Sequence, residues 1–174
     1  MLSDPNDKMH DADTAFRNCY APLLGAGSLL IFVLHGKDYL PQHKLPFDAP
    51  FSIELAMKGM VGFALSYVCA PTLAYVLISS IYGKLAGVRF DKNQLQVFVM
   101  FNLSVLMVCD IISALIPILS FLSVLKIFMI YILFEGIDNY MRIEQGRWAF
   151  AFISALSLYA SPYVINHLLN MFEK

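Results

Sequence analysis

The chain has 174 residues, of which 59% are apolar and only 14% charged, against roughly 25% charged in an ordinary soluble domain; its mean hydropathy is +0.65. Twelve Lys and Arg against thirteen Asp and Glu leave a formal net charge of −1, with no field to draw a phosphate backbone, so nucleic acid is excluded as a partner. The same figures exclude a disordered chain and a disulfide scaffold. They point to an all-α, multi-span membrane protein with the lipid bilayer as its first partner.

Crossing a hydrocarbon core about 30 Å thick takes about 20 apolar residues of helix at about 1.5 Å per residue. The opening Met1-Leu2-Ser3-Asp4-Pro5-Asn6-Asp7 is polar and acidic. It lacks the basic start and apolar stretch of a signal peptide, so insertion is expected to be driven by the spans. Residues 1–13 read as a short polar cytoplasmic segment, and residues 14–174 as one membrane domain of five spans. The first span is expected over about 15–34, with Asp13 or Thr14 as N-cap and Gly36 closing it. A polar loop with Pro41, Pro46 and Pro50 follows. The second span, about 55–82, is longer than a membrane requires and should tilt or protrude.

A short basic connection leads to a third span over about 94–116. Pro117 opens a tight turn to Ser120, so the third span and a short fourth, about 119–137, form an antiparallel hairpin. A polar stretch then leads to a fifth span over about 148–172. Residues 63–70 and 95–109 carry no charged face, unlike a helix on a soluble core. In lipid the backbone must be satisfied internally, so these runs are helices rather than strands. Pro71 and Pro162 fall inside spans and should kink them. Small residues recur at helical spacing in Gly62, Ser66 and Ala70, in Ser79, Gly83 and Gly87, and in Ala151 and Ala155. They suit close helix packing within the chain or between copies of it. Cys19, Cys69 and Cys109 lie in or beside apolar runs, with no CxxC pair, and read as small buried apolar residues.

Orientation follows from Lys and Arg in the connections. With the N-terminus inside, the inner segments hold Lys8, Arg17, Lys84, Arg89, Lys92, Arg142 and Arg147, while the outer ones hold Lys37, Lys44 and Lys174. That excess places the N-terminus in the cytoplasm and the C-terminus outside. Trp148, Tyr20, Tyr82 and Tyr140 fall near span ends, where amphipathic rings sit.

Asp110 and Lys126 are charges that fall well inside spans. Asp110 lies eight residues before the turn centre near Ile118 and Lys126 eight after it, so both sit about 12 Å from the turn. Similar depth allows them to pair, which would offset a penalty of several kcal/mol for a lone intramembrane charge. The alternatives are a proton, ion or headgroup site in the bundle, or separate snorkelling to water. Glu135 and Asp138 form a candidate acidic site at the cytoplasmic mouth, or an interfacial cluster meeting Arg89 or Arg142. Glu54 and Lys58 are spaced for a helix-surface pair. His35, His43, Asp38 and Asp48 share the first outer loop, but their spacing matches no zinc signature. No metal or cofactor site is expected. No HExxH, GxSxG or phosphate-cradling glycine loop is present, and Gly25-Ala26-Gly27 lies in an apolar helix rather than after a strand.

From the second span onward the chain resembles the Yip family of Ypt/Rab-interacting membrane proteins, in its short bacterial type. Ile81-Tyr82-Gly83-Lys84-Leu85-Ala86-Gly87-Val88-Arg89-Phe90, then Gln94-Leu95-Gln96-Val97, looks like the family's glycine-bearing turn and the helix start after it. Ile116-Pro117-Ile118-Leu119 resembles its proline turn. Ile130-Tyr131-Ile132-Leu133-Phe134-Glu135-Gly136-Ile137 is similar to its fourth span, and Ala21-Pro22-Leu23-Leu24 to the start of its first. The region Phe101-Asn102-Leu103-Ser104-Val105-Leu106 departs from the family's Tyr-Ser…Pro element. The resemblance implies five spans with a cytoplasmic N-terminus and, in a bacterium, the inner membrane. The small-GTPase activity of eukaryotic relatives belongs to a long N-terminal region, where this chain has about fourteen polar residues before the first span.

Two functions are expected. The first is a non-enzymatic membrane scaffold or partner-binding protein, acting on other membrane proteins, lipids or its own copies. The second is a small transporter, channel or lipid carrier that uses Asp110 and Lys126 as a polar site.

Overall fold

The computed structural model describes residues 11–36, 51–87, 90–115, 125–143 and 146–172. These form five helices, and no strand occurs among the described residues. Helix α1 is Ala12–Gly36, widened to a π-helical turn over Phe16–Tyr20. Helix α2 is Ile53–Ala86, α3 is Lys92–Leu115, α4 is Leu125–Gly136 continued by a π-helical turn over Ile137–Met141, and α5 is Arg147–Phe172.

Local chemistry explains the boundaries. Extended Asp11, rather than Asp13 or Thr14, is the N-cap of α1, and its carbonyl accepts the Ala15 N–H at 3.0 Å. Asp13 is free to serve one turn in, where it pairs with Arg17 at 3.2 Å. Ser52 caps α2, its hydroxyl accepting from the Leu55 N–H at 3.4 Å. Gly87, with φ 64°, ends that helix in the left-handed conformation. The 34 residues of α2 amount to about 51 Å of helix, well beyond the hydrocarbon core. Asp91 starts α3, accepting Leu95 N–H on its carbonyl at 3.0 Å and Asn93 N–H on its side chain at 3.4 Å.

Among the described residues, four helices are long and apolar enough to cross a membrane: α1, α2, α3 and Arg147–Leu169 of α5. The sequence led to five. The difference is α4, whose described part, Leu125 to Met141, makes about 24 Å, short of a full crossing. Residues 116–124, which carry the expected turn at Pro117 and the start of the fourth span, lie outside the described residues. Leu29, Val33, Val61, Val68, Phe101, Phe152 and Leu156 point outward, an apolar exterior suited to lipid tails rather than water. Cys19 and Cys69 belong to that exterior, and Cys109 alone of the three is buried. The expected burial fails at two positions because an apolar thiol has nothing to gain from hiding where the solvent is itself apolar.

Helix α2 packs most extensively on α5 and α1, and α3 contacts all four other helices. The small residues serve these contacts: Ser66, Ala70, Ala74 and Ile78 are buried along one row of α2, and Ala151, Ser154, Leu158 and Ser161 along α5. At the end holding Ala86, Lys92 and Arg147, four rings seal the bundle. Phe150 lies 5.0 Å from Tyr82, 5.4 Å from Phe90 and 5.9 Å from Phe98, centroid to centroid. Gly146 has φ 70°, and a Cβ there would stand 2.9 Å from the Tyr82 hydroxyl. At the opposite end the Ser52 N–H donates to the Gly36 carbonyl at 2.7 Å. The Phe51 ring fills the space a Cβ on Gly36 would need.

Pro71 sits inside α2 and has no N–H for the carbonyl of Tyr67, four residues earlier. The Tyr20 hydroxyl of α1 donates to that carbonyl at 2.6 Å, replacing the missing helix bond. Tyr20 itself is fully buried at the end of the π-helical turn. Replacing Tyr20→Phe is expected to lower stability by about 1–2 kcal/mol, since the carbonyl is then buried unbonded. In a Pro71→Ala background, where the backbone N–H returns, the same change is expected to cost less than half as much. Thermal unfolding in detergent of the four variants in this cycle checks it.

Candidate functional site

A cleft of about 950 Å³ lies between α1, α2, α3 and α5, in the half of the bundle away from the ring cluster. Its deep part is made by Tyr67, Asp110 and Tyr159. One helical turn further out stand Phe63 and Tyr163, and His35, Lys58 and Asn166 line the outer part. Glycines let the helices meet there: a Cβ on Gly59 would come within 2.5 Å of the His35 ring, and one on Gly62 would face the Asn166 side chain at 3.8 Å.

Asp110 is half-buried on α3. A carboxylate at such a place is costly unless hydrogen-bonded, and the Tyr67 hydroxyl donates to its Oδ2. Tyr67 is 2% exposed and packs at 4.9 Å against the Phe63 ring. Tyr20, Tyr67 and Asp110 thus form a polar chain through α1, α2 and α3. The Ser66 hydroxyl, on the cleft wall, is buried with no hydrogen-bond partner among the described residues. On the rim, Lys58 pairs with Glu54 at 3.4 Å as their spacing suggests. Both are exposed, so the pair contributes under about 1 kcal/mol.

The side chain of Lys126 lies outside the described residues, and with it the expected pairing with Asp110. Glu135 and Asp138 sit at the other end of the molecule with separate partners. Glu135 accepts from the Asn139 amide at 2.5 Å. Asp138 is ion-paired with Arg147, whose guanidinium also stands over the Phe134 ring at 5.6 Å. Near them the Gln94 amide donates to the Tyr140 carbonyl at 2.7 Å, joining α3 to the end of α4. Burial, then the Asp91 carboxylate, push the Tyr140 phenol above its ordinary value. His35 is the described member of the histidine loop, its Nδ1 lying 3.3 Å from the Ile31 carbonyl. His43, Asp38 and Asp48 lie outside the described residues. No group of three metal-ligating side chains occurs among the described residues.

Sequence reasoning found Asp110 and missed Tyr20, Tyr67 and Ser66. A signal for Tyr67 was present in Pro71, since a proline inside a span marks the carbonyl four residues before it as needing a donor. These features define an all-helical bundle with spanning-length helices around a cleft lined by polar and apolar side chains. Compared with protein-family models, curated proteins and solved structures, the chain matches none. The likeness to the Yip family therefore rests on the residues quoted for it.

The Tyr67–Asp110 bond is expected to show as coupling. Tyr67→Phe should destabilise the protein by about 1–2 kcal/mol, as expected for a bond to a charged acceptor partly offset by relaxation in a membrane bundle. In an Asp110→Ala background the loss should fall to roughly a third of that. Equal losses in both backgrounds, measured by thermal unfolding in detergent, would show that the bond adds nothing.

Proposed function

We propose that this chain is a non-enzymatic multi-pass membrane protein of five crossings, with α4 and the residues before it supplying the one beyond the four spanning-length helices. Its N-terminus is cytoplasmic and its C-terminus outside, in the inner membrane if the source is a bacterium. It works by binding, as a scaffold of the kind the Yip resemblance suggests, and the cleft over Asp110 is where it holds a membrane-resident molecule. The observation that carries this reading is a roomy cavity with a carboxylate, Asp110, in its wall, inside a bundle whose exterior is apolar. Intramembrane ionisable groups of this kind ordinarily mark binding sites or pathways.

A second reading, a small carrier or transporter, draws support from the prolines. Pro162 lines the cleft, and Pro71 lies one turn beyond Tyr67, so both long walls carry a point where the helix bends readily. In that reading the protein moves solute or lipid across liposome membranes, and Asp110→Asn abolishes the flux with the fold intact.

Two measurements test the proposal. Native mass spectrometry of the detergent-solubilised chain should show a retained lipid or small amphiphile. Gly62→Phe, whose ring would enter the cleft beside Asn166, should lower that retention about tenfold, equivalent to about 1.4 kcal/mol of binding. Retention that ignores this variant removes the cleft from the reading. For topology, a cysteine-free background carrying Asn6→Cys or Lys174→Cys should react with an impermeant maleimide on opposite sides of sealed vesicles. Labelling of both ends from one side means an even number of crossings.

A further inference from the structure

The long walls of the cleft are not held equally. The half of α2 that forms one wall buries Ala56, Ser66, Tyr67 and Ala70, and its end at Pro71 is tied to α1 through the Tyr20 hydroxyl. On α5 the buried side chains end at Pro162. Before it Phe150, Ala151, Ser154, Leu158 and Ser161 are buried, whereas every described side chain from Tyr163 to Met171 is exposed or half-buried. A segment with few buried contacts is the part of a structure that opens most readily. Pro162 adds to this, because it has no N–H for the Leu158 carbonyl and the helix bends there without losing a bond.

Two contacts fix how α2 and α5 lie against each other. The rings of Tyr82 and Phe150 are 5.0 Å apart at one end. In the outer part of the cleft a Cβ on Gly62 would stand 3.8 Å from the Asn166 side chain. Counting along the two antiparallel helices from both contacts sets Pro71 level with 157–161 and Pro162 level with 66–70. The two prolines therefore share one depth, near the deep part of the cleft, and the walls stand beyond them. Met57, Val61 and Leu65 of α2 and Tyr163 of α5 line the cleft and also belong to the apolar exterior, 40–75% exposed. Gly62, opposite Asn166, puts no side chain into the gap between these walls. Toward the end of the bundle α1 closes on α2 instead, the His35 ring lying 2.5 Å from where a Cβ on Gly59 would be. An apolar lip on the lipid-facing side is one that a molecule already in the bilayer can cross without entering water.

We infer that the cleft is entered sideways from the bilayer by a membrane lipid, through a portal between α2 and α5 whose moving wall is the part of α5 beyond Pro162. This rests on the cleft being the binding site and names its entrance and the class of molecule admitted.

In a cysteine-free background, Gly62→Cys with Asn166→Cys places two thiols across the portal, where a bis-methanethiosulfonate bridge closes it and dithiothreitol reopens it. Delipidated protein is reconstituted into nanodiscs of equal phosphatidylethanolamine and phosphatidylglycerol and re-extracted at intervals for native mass spectrometry. The bridged form should load lipid about tenfold more slowly than the reduced form. Lipid loaded first and bridged afterwards should survive detergent washing that empties the reduced form. Equal loading in both states overturns the portal alone and leaves the cleft as a site entered from its end. No retained lipid in wild-type, bridged or reduced protein overturns the cleft reading and the portal with it. A second measurement needs no loading and places its labels outside the cleft lining. Spin labels on Leu85→Cys and His167→Cys report α5 beyond Pro162, and labels on Leu85→Cys and Leu55→Cys report α2 beyond Pro71. The first pair should give the broader distance distribution, and Pro162→Ala should narrow it. Equal breadth in the two pairs, or a breadth that ignores Pro162→Ala, overturns the moving wall.

Discussion

A proline inside a membrane helix leaves a backbone carbonyl that neither water nor the next turn can satisfy, and the arrangement of α1, α2 and α3 follows from how this chain answers that demand at Pro71. The Tyr20 hydroxyl reaches the Tyr67 carbonyl, which sets the rotation of α1 against α2. The Tyr67 hydroxyl in turn reaches Asp110, which sets α2 against α3. In a bilayer, helix association draws on packing and interhelical hydrogen bonds because lipid tails supply no hydrophobic drive. Two bonds that each join different helices therefore specify geometry more strongly than their number suggests.

Several other polar residues of the spans bond within their own helices. On α3 the Asn102 amide donates to the Phe98 carbonyl at 2.8 Å, Ser104 to Met100 at 2.9 Å and Ser113 to Cys109 at 2.7 Å. On α5 Ser161 donates to Ser157 at 2.5 Å. Such back-bonding lets a small polar residue be buried without a partner on another helix. Serines so placed keep the helix surface narrow, and the buried rows of α2 and α5 use this to come close. Asp110 is of another kind, because its described partner lies across a helix boundary and at the wall of a cavity.

The spans were legible because a run apolar on all sides has one stable form in lipid. Observed ends at Ala12, Gly36, Ala86, Lys92 and Arg147 lie within four residues of those read from the sequence, the differences arising where Asp11 and Gly87 rather than their neighbours cap the helices. The Glu54–Lys58 pair followed from spacing alone. Rotation was not legible. Residues 63–70 are apolar around the whole circumference, so nothing in them told that Tyr67 faces inward and Val68 outward. Depth matching along the chain could bring Asp110 and Lys126 to one level, but it carried no information about Tyr67, which arrives from a different helix pair. The cleft was invisible for the same reason, being a property of four helices at once.

The two ends of the bundle are built differently, and Pro71 marks the boundary on α2. Below it, Ile78 and Tyr82 continue into the cluster of Phe90, Phe98 and Phe150, whose packed rings join α2, α3 and α5. Above it, the same helices part around the cavity and are tied by hydrogen bonds through Tyr67 rather than by packed rings. Packed cores resist continuous deformation, whereas a hydrogen-bonded junction beside a proline can lengthen or exchange a partner at modest cost. The hydrogen-bonded junction that orients α1, α2 and α3 thus lies at the cleft, and the ring cluster lies at the other end of the same helices. The polar chain from Tyr20 to Asp110 thus ties α1, α2 and α3 together at the wall of the cleft.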